Sequence, residues 1–335
     1  MKTLFFSARP YDRASMDAAA GGGHEFEYVD AALGPETAVL ARHCDAVCGF
    51  VNDRFDAETL GLLAGHGVRM ITLRCTGFNN VDLEAAERHG LQVARVAEYS
   101  PYSVAEFTVS LIQVLNRKLH KAYLRAREDH WLLDGLLGFD LHGKTVGICG
   151  TGKIGAVLAR ILHGFGCRLL GHDLVEDPDC LALGLAYVPL ETLLAESDVV
   201  TLHVPLVPET DRMINADSIA LMKPGAFLIN TSRGGLVDTR ALIAALKSGH
   251  LGAAGLDVYE EESGIFFQDH MGEIMADDVF ARLLTFPNVV VTGHQGYFTK
   301  EALADIASAT VRNLDDFAAG RRNANWLTPP VRDRR

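Results

Sequence analysis

Three short segments carry the side chains best suited to acid/base chemistry: Asn230-Thr231-Ser232-Arg233-Gly234-Gly235, Gly255-Leu256-Asp257-Val258-Tyr259-Glu260-Glu261-Glu262 and Val291-Thr292-Gly293-His294-Gln295. Chemistry at the carbonyl of an anionic substrate needs a cation to hold the carboxylate and polarise the carbonyl, a proton donor for an alkoxide that forms, and a group that keeps the donor protonated near neutrality. Arg233, His294 and one of Glu260, Glu261 and Glu262 are of the right types, and spacing alone does not choose among the glutamates. Taken singly, an arginine in a loop is ordinarily a solvated charge, a histidine a satisfied polar residue and an acidic triplet a hydrated face. Their shared position argues otherwise: each segment closes an apolar, strand-like run, and open parallel sheets bind ligands at the carboxyl edge.

A second group of residues reads as a cofactor site. After the strand-like Lys144-Thr145-Val146-Gly147-Ile148-Cys149 comes Gly150-Thr151-Gly152-Lys153-Ile154-Gly155, followed by a helical pattern with Val157, Leu158, Ile161, Leu162 and Phe165 on one face. The G-x-G-x-x-G pattern alone is weak, but at a strand-to-helix turn each glycine has a task. Gly150 allows the turn, Gly152 lets a pyrophosphate approach the backbone, and Gly155 lets helix and strand pack closely. The helix N-terminus offers free N–H groups to the phosphates. Asp173 follows the next strand, 18 residues beyond Gly155, where a carboxylate accepts hydrogen bonds from an unphosphorylated ribose. No Arg or Lys lies between 169 and 180 to receive a 2′-phosphate, so NAD is expected over NADP.

The elements that must position these groups follow from pattern. Apolar or β-branched runs at 3–7, 25–29, 44–50, 68–73 and 91–95 alternate with helix-like segments at 35–42, 57–65 and 81–88, and a second series of runs stands at 145–149, 168–171, 198–203, 226–230, 252–257 and 288–292. This alternation predicts an α/β fold of two doubly wound parallel sheets. Ser100 can cap a helix whose first position is Pro101, with Val104, Phe107, Leu111, Leu115 and Leu119 down one side. Thr299 can cap a last helix carrying Leu303, Ile306, Val311, Leu314 and Phe317. The expected domains are residues 1–100 with 300–335, a discontinuous substrate domain, and residues 101–299, the dinucleotide-binding domain.

Composition narrows the class. The 335 residues suit two ordinary domains, and 48% hydrophobic with 22% charged residues describes a globular chain. The net charge of −12 argues against nucleic-acid or membrane-surface partners. Five arginines and one aspartate in 321–335 read as a solvated basic tail. Six cysteines are too sparse for a disulfide framework, and Cys44 and Cys48 have no matching pair for a metal, so reduced thiols in the cytoplasm and no metal are expected. The first apolar run is too short for an export signal, and no uninterrupted apolar stretch of 18 residues suggests a membrane span.

With these residues in place, the sequence resembles the D-isomer-specific 2-hydroxyacid dehydrogenase family, and within it most resembles the bacterial fermentative D-lactate dehydrogenases. The resemblance runs through Val51-Asn52-Asp53, Leu73-Arg74-Cys75-Thr76-Gly77-Phe78-Asn79-Asn80-Val81-Asp82, Tyr99-Ser100-Pro101, the glycine motif and the three catalytic segments. It implies a flavodoxin-like substrate domain, a Rossmann NAD-binding domain and reversible NADH-dependent reduction of pyruvate to D-lactate. In it Arg233 binds and polarises the keto acid, Glu262 pairs with His294, and His294 is the acid/base. It further implies that N–H groups around Thr76 and Gly77 hold the carboxylate, that Tyr99 lines the substrate pocket, and that Asp257 faces the nicotinamide amide. Phe50 and Tyr297 join Tyr99 around the substrate's C3 side; Gly150, Gly152, Lys153, Ile154, Gly155, Asp173, Val204, Pro205, Thr231 and Asp257 make up the cofactor set. A homo-oligomer, dimer or tetramer, built through cofactor-domain helices is implied as well.

The chain departs from the family pattern at three places. Phe107 stands where His is frequent, Val207 where Thr is frequent, and Gly296-Tyr297 where an Ala-Phe pair follows His-Gln. Phe107 is expected to be structural and Val207 to alter contacts near the cofactor, while Gly296 and Tyr297, beside the acid/base, leave open a bulkier 2-keto acid, glyoxylate or hydroxypyruvate as substrate. An NAD(H)-sensing binding protein is the alternative from another class.

Overall fold

Valine, isoleucine, leucine and small residues in unbroken runs make strands covered on both faces, the habit of parallel sheets. In the computed structural model, which describes residues 1–262 and 264–329, these runs form two wholly parallel sheets. The chain divides into two units, Met1–Ser100 with the residues from Phe298 onward, and Pro101–Tyr297.

The first unit carries β1 (Lys2–Phe5), β2 (Glu25–Tyr28), β3 (Ala46–Gly49), β4 (Met70–Leu73) and β5 (Gln92–Ala94) in the order β2-β1-β3-β4-β5. Winding reverses between β1 and β3, a flavodoxin-like switch point whose carboxyl edge holds Ser7, Phe50 and Arg74. Its helices are α1 (Pro10–Ala20), α2 (Ala57–Gly65), α3 (Leu83–Arg88) and the helix Lys300–Ala318, which is capped by the Thr299 hydroxyl and packs on α1 and β4. Two segments differ from the sequence reading. Residues 35–42 form only the 3-10 turn Ala38–Ala41, because the Thr37 hydroxyl takes the Gly34 N–H and donates to the Ala32 carbonyl, competing with helical bonds. Helix α1 is an addition; it has no apolar stripe, and its buried residues are Asp12 and Met16.

The second unit carries β6 (Thr145–Cys149), β7 (Arg168–His172), β8 (Ala186–Tyr187), β9 (Val199–Leu202), β10 (Ala226–Asn230), β11 (Leu251–Leu256) and β12 (Val289–Val291), ordered β12-β11-β10-β9-β6-β7-β8. The switch point lies between β6 and β9, as in a Rossmann sheet. Its helices are α4 (Pro101–Asn116), α5 (Leu119–Arg127), α6 (Lys153–Gly164), α7 (Pro178–Ala182), α8 (Leu190–Glu196), α9 (Ala216–Leu221), α10 (Thr239–Ser248) and α11 (Asp278–Leu284). Both faces of this sheet are buried: Leu228 belongs to one core cluster and its neighbour Ile229 to the other. The helix expected to run from Pro101 through Leu119 breaks at Lys118, whose φ is +49°. Just before the break, the buried Asn116 side chain accepts from the Phe139 N–H and donates to the Phe139 carbonyl, fastening the chain to a returning segment. Leu119 therefore opens α5 as an exposed residue.

Among the described residues no helix is long and apolar enough to cross a membrane. The basic tail is not wholly solvated, since Arg322 lies over the Trp326 ring and donates to Gln92 and Thr328. Its last three arginines lie outside the described residues.

Candidate active site

In the second unit every singled-out segment sits at the carboxyl edge. Gly150 leaves β6 with φ +93°, and a Cβ there would lie 2.6 Å from the His203 carbonyl carbon. A Cβ on Gly155 would lie 2.0 Å from the Gly150 carbonyl oxygen, so strand and helix meet backbone to backbone. Gly152 is the N-cap of α6; no side chain caps the helix, and a Cβ there would meet nothing within 4 Å. The helix N-terminus is thus open to an anion. Lys153 and Ile154 form its first turn, with Ile154 packed toward the core.

Asp173 follows β7 and is fixed rather than free. Its Oδ2 accepts from the Thr151 N–H at 2.6 Å, and its Oδ1 from the Leu174 N–H at 2.6 Å. Leu174 and Val175 beyond it are exposed apolar side chains. Across the switch point, His203 Nε2 is shut off from solvent with no hydrogen-bond partner among the described residues, and burial pushes its pKa down to about 4. Val204 and Pro205 offer carbonyls already engaged by the Ser232 and Thr210 hydroxyls. Thr210 also accepts the Val207 N–H, which holds that loop although Val207 brings no hydroxyl. Thr231 is buried and shares a hydrogen bond with Thr108 at 2.9 Å. An uncapped helix end beside a glycine turn, an orphaned buried imidazole nitrogen and a fixed carboxylate at the next strand all fit a dinucleotide.

The three chemical segments converge through backbone contacts. Arg233 donates from Nη1 to the Ser232 carbonyl at 2.7 Å, and the Asn230 side chain holds the Arg233 carbonyl at 2.8 Å. The next residue, Gly234, is pressed onto the end of β11: a Cβ there would lie 2.0 Å from the Tyr259 carbonyl carbon and 2.3 Å from the Glu260 nitrogen. Tyr259 is anchored by its ring, which packs on Phe280 with centroids 4.7 Å apart, and by its hydroxyl, which donates to Asp277 at 2.7 Å.

From that anchor the three glutamates diverge. Glu260 faces Arg212 and the Thr239 N–H, and Glu261 is exposed. Glu262 turns inward, with Oε2 accepting the Tyr259 N–H at 3.2 Å and Oε1 lying 2.9 Å from His294 Nδ1. A carboxylate only accepts, so Nδ1 carries the proton and Nε2 is left for another partner.

His294 itself has φ +53°, a conformation that favours glycine. Asp257, buried beneath it, sustains this. Its backbone carbonyl accepts the His294 N–H at 2.8 Å, and its carboxylate accepts from the Gln295 and Gly296 N–H groups at 2.9 and 2.7 Å and from the Thr292 hydroxyl at 2.5 Å. Burial holds the Asp257 carboxyl above its ordinary range, and these hydrogen bonds offset that rise only in part. The departures at 107 and 296 belong to one packing event: a Cβ on Gly296 would lie 3.0 Å from Asp257 Oδ2 and 3.3 Å from the Phe107 ring. Phe107 fills the space that an alanine methyl would need. Tyr297 follows, half-buried.

In the first unit, Phe50 and the Thr76–Gly77 loop share a carboxyl edge. The Thr76 carbonyl accepts from Arg95 at 2.9 Å and the Gly77 carbonyl from the Cys75 thiol at 3.3 Å, while the two N–H groups have no partner among the described residues. Tyr99 is half-buried after β5. Sequence reasoning missed the support below them. Arg74, 2% exposed, lies with its guanidinium 4.8 Å from the Phe50 ring centroid, pairs with Asp12 at 3.2 Å and donates to the Ser7 carbonyl at 2.8 Å. Asp53, also buried, takes the Phe50 and Leu33 N–H groups and the Ser7 hydroxyl. Among the described residues no His, Cys, Asp or Glu cluster could hold a metal.

A dinucleotide turn and a carboxylate-held imidazole on one doubly wound sheet define a nicotinamide-dependent oxidoreductase. Residues 109–296 match the model of the D-isomer specific 2-hydroxyacid dehydrogenase NAD binding domain. Over 331 residues the chain is 53% identical to 2-hydroxyacid dehydrogenase A of Aspergillus oryzae, covering 98% of this chain and 95% of that one. Among solved structures, the apo form of D-lactate dehydrogenase from Escherichia coli superposes with a TM-score of 0.90 at 44% identity, covering 98% and 100% of the two chains. The pyruvate reductase of Chlamydomonas reinhardtii gives a TM-score of 0.93 at 44% identity, covering 97% and 98%. The chain belongs to the D-isomer specific 2-hydroxyacid dehydrogenase family, and NAD is its cofactor.

Proposed function

We propose that the chain reduces pyruvate to D-lactate with NADH, reversibly, and that His294 is the acid/base. The observation that carries this reading is the 2.9 Å hydrogen bond from His294 Nδ1 to Glu262, which leaves Nε2 to protonate the substrate oxygen. Glu262 stabilises the imidazolium, and the Asp257 contacts keep the imidazole's loop in place. NADH, when bound, supplies the hydride that C2 accepts. Gly150, Gly152, Lys153, Ile154 and Gly155 would hold its pyrophosphate and Asp173 its adenosine ribose, with Val204, Pro205 and Thr231 beside the nicotinamide half and Asp257 toward the carboxamide. Arg233 binds the carboxylate and faces the developing alkoxide with a planar guanidinium, a geometry that a lysine does not offer. Within the first unit the Thr76 and Gly77 N–H groups suit a carboxylate, and the Phe50, Tyr99 and Tyr297 side chains are of the type that meets the C3 side of a small 2-keto acid.

A small substrate is favoured because Gly296 does not open a cavity: Phe107 occupies that space. The names of the Escherichia coli and Chlamydomonas relatives point the same way, and D-lactate follows from the family's hand. A panel of 2-keto acids with NADH and NADPH tests the reading. Pyruvate with NADH should give the highest kcat/KM, with 2-ketobutyrate slower by roughly ten- to hundredfold for its extra methylene. A higher value for phenylpyruvate would overturn the substrate. L-lactate as product would overturn the hand, and tight NADH binding without turnover of any 2-keto acid would favour the sensing protein.

The chain is further proposed to work as a homodimer in the cytoplasm. Helix α5 has no buried residue, and seven large apolar side chains between Leu119 and Leu137 are exposed, a patch of the kind that marks association. The six cysteines are free, which suits a reducing compartment. Light scattering should report a dimer for the wild type and a monomer for Trp131→Glu; a monomeric wild type would overturn the assembly.

A further inference from the structure

Seven described residues other than glycine adopt a left-handed φ, and two of them meet: Phe267 (φ +65°) and His294 (φ +53°) place their ring centroids 5.9 Å apart with planes at 39°. A bulky aromatic residue is an outlier in this region. Such strain persists where surrounding structure over-determines it, and it gathers at sites of function.

The surroundings supply that determination. The Ile265 and Phe266 N–H groups both donate to the Glu262 carbonyl at 3.0 Å, so the turn that aims Glu262 at the imidazole also launches the chain toward Phe267. Phe266 is buried edge-on against Phe280 with centroids 5.9 Å apart, and Phe280 in turn packs on Tyr259. Further on, His270 joins the Gly264 carbonyl at 3.1 Å to Glu273 at 2.8 Å and ties the loop across itself. Phe266 lies inside this cluster, while Phe267 packs on its rim, partly buried, with its ring toward His294.

We infer that Phe267 is a positioning residue for the reaction. Glu262 fixes the imidazole at Nδ1, and the Phe267 ring walls it and keeps water from the imidazole–carboxylate pair. This rests on the reading of His294 as the acid/base and assigns that site a second support. The ring contributes through orientation and water exclusion and takes no part in proton transfer.

Phe267→Gly separates side chain from backbone, because glycine adopts φ +65° without strain. In the full-length, cofactor-free protein, the variant should stay folded, with an unfolding temperature within about 5 °C of the wild type because strain relief offsets lost packing, while ethoxyformylation of His294 by diethyl pyrocarbonate, followed by peptide mass spectrometry, should quicken about fivefold as the wall is lost. With NADH and pyruvate, kcat should fall about tenfold with KM little changed. Phe267→Tyr keeps the ring and should restore both readings. Equal modification rates in wild type and Phe267→Gly, or an undiminished kcat, would overturn the inference. If the wild type turned over no 2-keto acid, the functional reading would fall by itself, and the modification rates would still decide whether Phe267 shields His294.

Discussion

Replacing Gly234 by alanine tests whether the arginine loop must lie against the end of β11. The added Cβ would stand 2.0 Å from the Tyr259 carbonyl carbon, 2.2 Å from its oxygen and 2.3 Å from the Glu260 nitrogen. All three are backbone atoms of a segment anchored by Tyr259, so no flexible side chain can give way. Carbon atoms rest about 3.5 to 4 Å apart, so the loop must retreat by roughly 1.5 Å. Arg233 moves with it. A displacement of about 1 Å in a positioning group can cost about a hundredfold in rate, or ~2.7 kcal/mol of transition-state stabilisation. The strain should also lower folding stability by about 1–3 kcal/mol. Steady-state kcat/KM for pyruvate, the NADH dissociation constant from fluorescence and the urea midpoint read these effects apart, and NADH affinity should change least. Gly293→Ala is the matched control: a Cβ there would meet nothing within 4 Å, so it should act like wild type. A Gly234→Ala enzyme within about threefold of wild-type kcat/KM would refute the argument that this approach positions Arg233.

Two further outcomes follow from the cofactor edge. Asp173→Ala should erode the preference for NADH over NADPH by removing the carboxylate that would repel a 2′-phosphate, and an unchanged ratio of the two kcat/KM values would count against that assignment. His203 is held neutral by burial with a pKa near 4 against an ordinary 6.5, so its contribution to stability is complete above about pH 6.5 and is lost as pH falls toward 4, amounting to no more than about 3 kcal/mol. His203→Gln should flatten that part of the stability–pH curve; parallel curves for the two proteins would refute it.

The parts legible in sequence are those governed by local rules. The glycine turn can be read because strand, glycines and helix are contiguous, and the parallel strands because their apolar runs do not alternate. Spacing leaves Glu260, Glu261 and Glu262 equivalent; they part only because Tyr259 is anchored by Phe280 and Asp277, which lie about twenty residues further along the chain. Helix α1 escapes the apolar template because its buried face includes Asp12, whose partner Arg74 stands at the end of β4, an ion pair that no periodicity reports. The edge strand β8 is two residues long and lacks a pattern to detect. Phe267 reads as one more apolar residue in an irregular loop, and its significance lies in a backbone angle and a ring contact that exist only in three dimensions.

The central claim is that His294 protonates the substrate oxygen without holding the cofactor. The most direct measurement compares wild type and His294→Ala for NADH affinity by fluorescence and for single-turnover pyruvate reduction. Turnover should fall by at least about a hundredfold while the NADH dissociation constant stays near the wild-type value. A His294→Ala protein that reduces pyruvate at close to the wild-type rate would contradict the account.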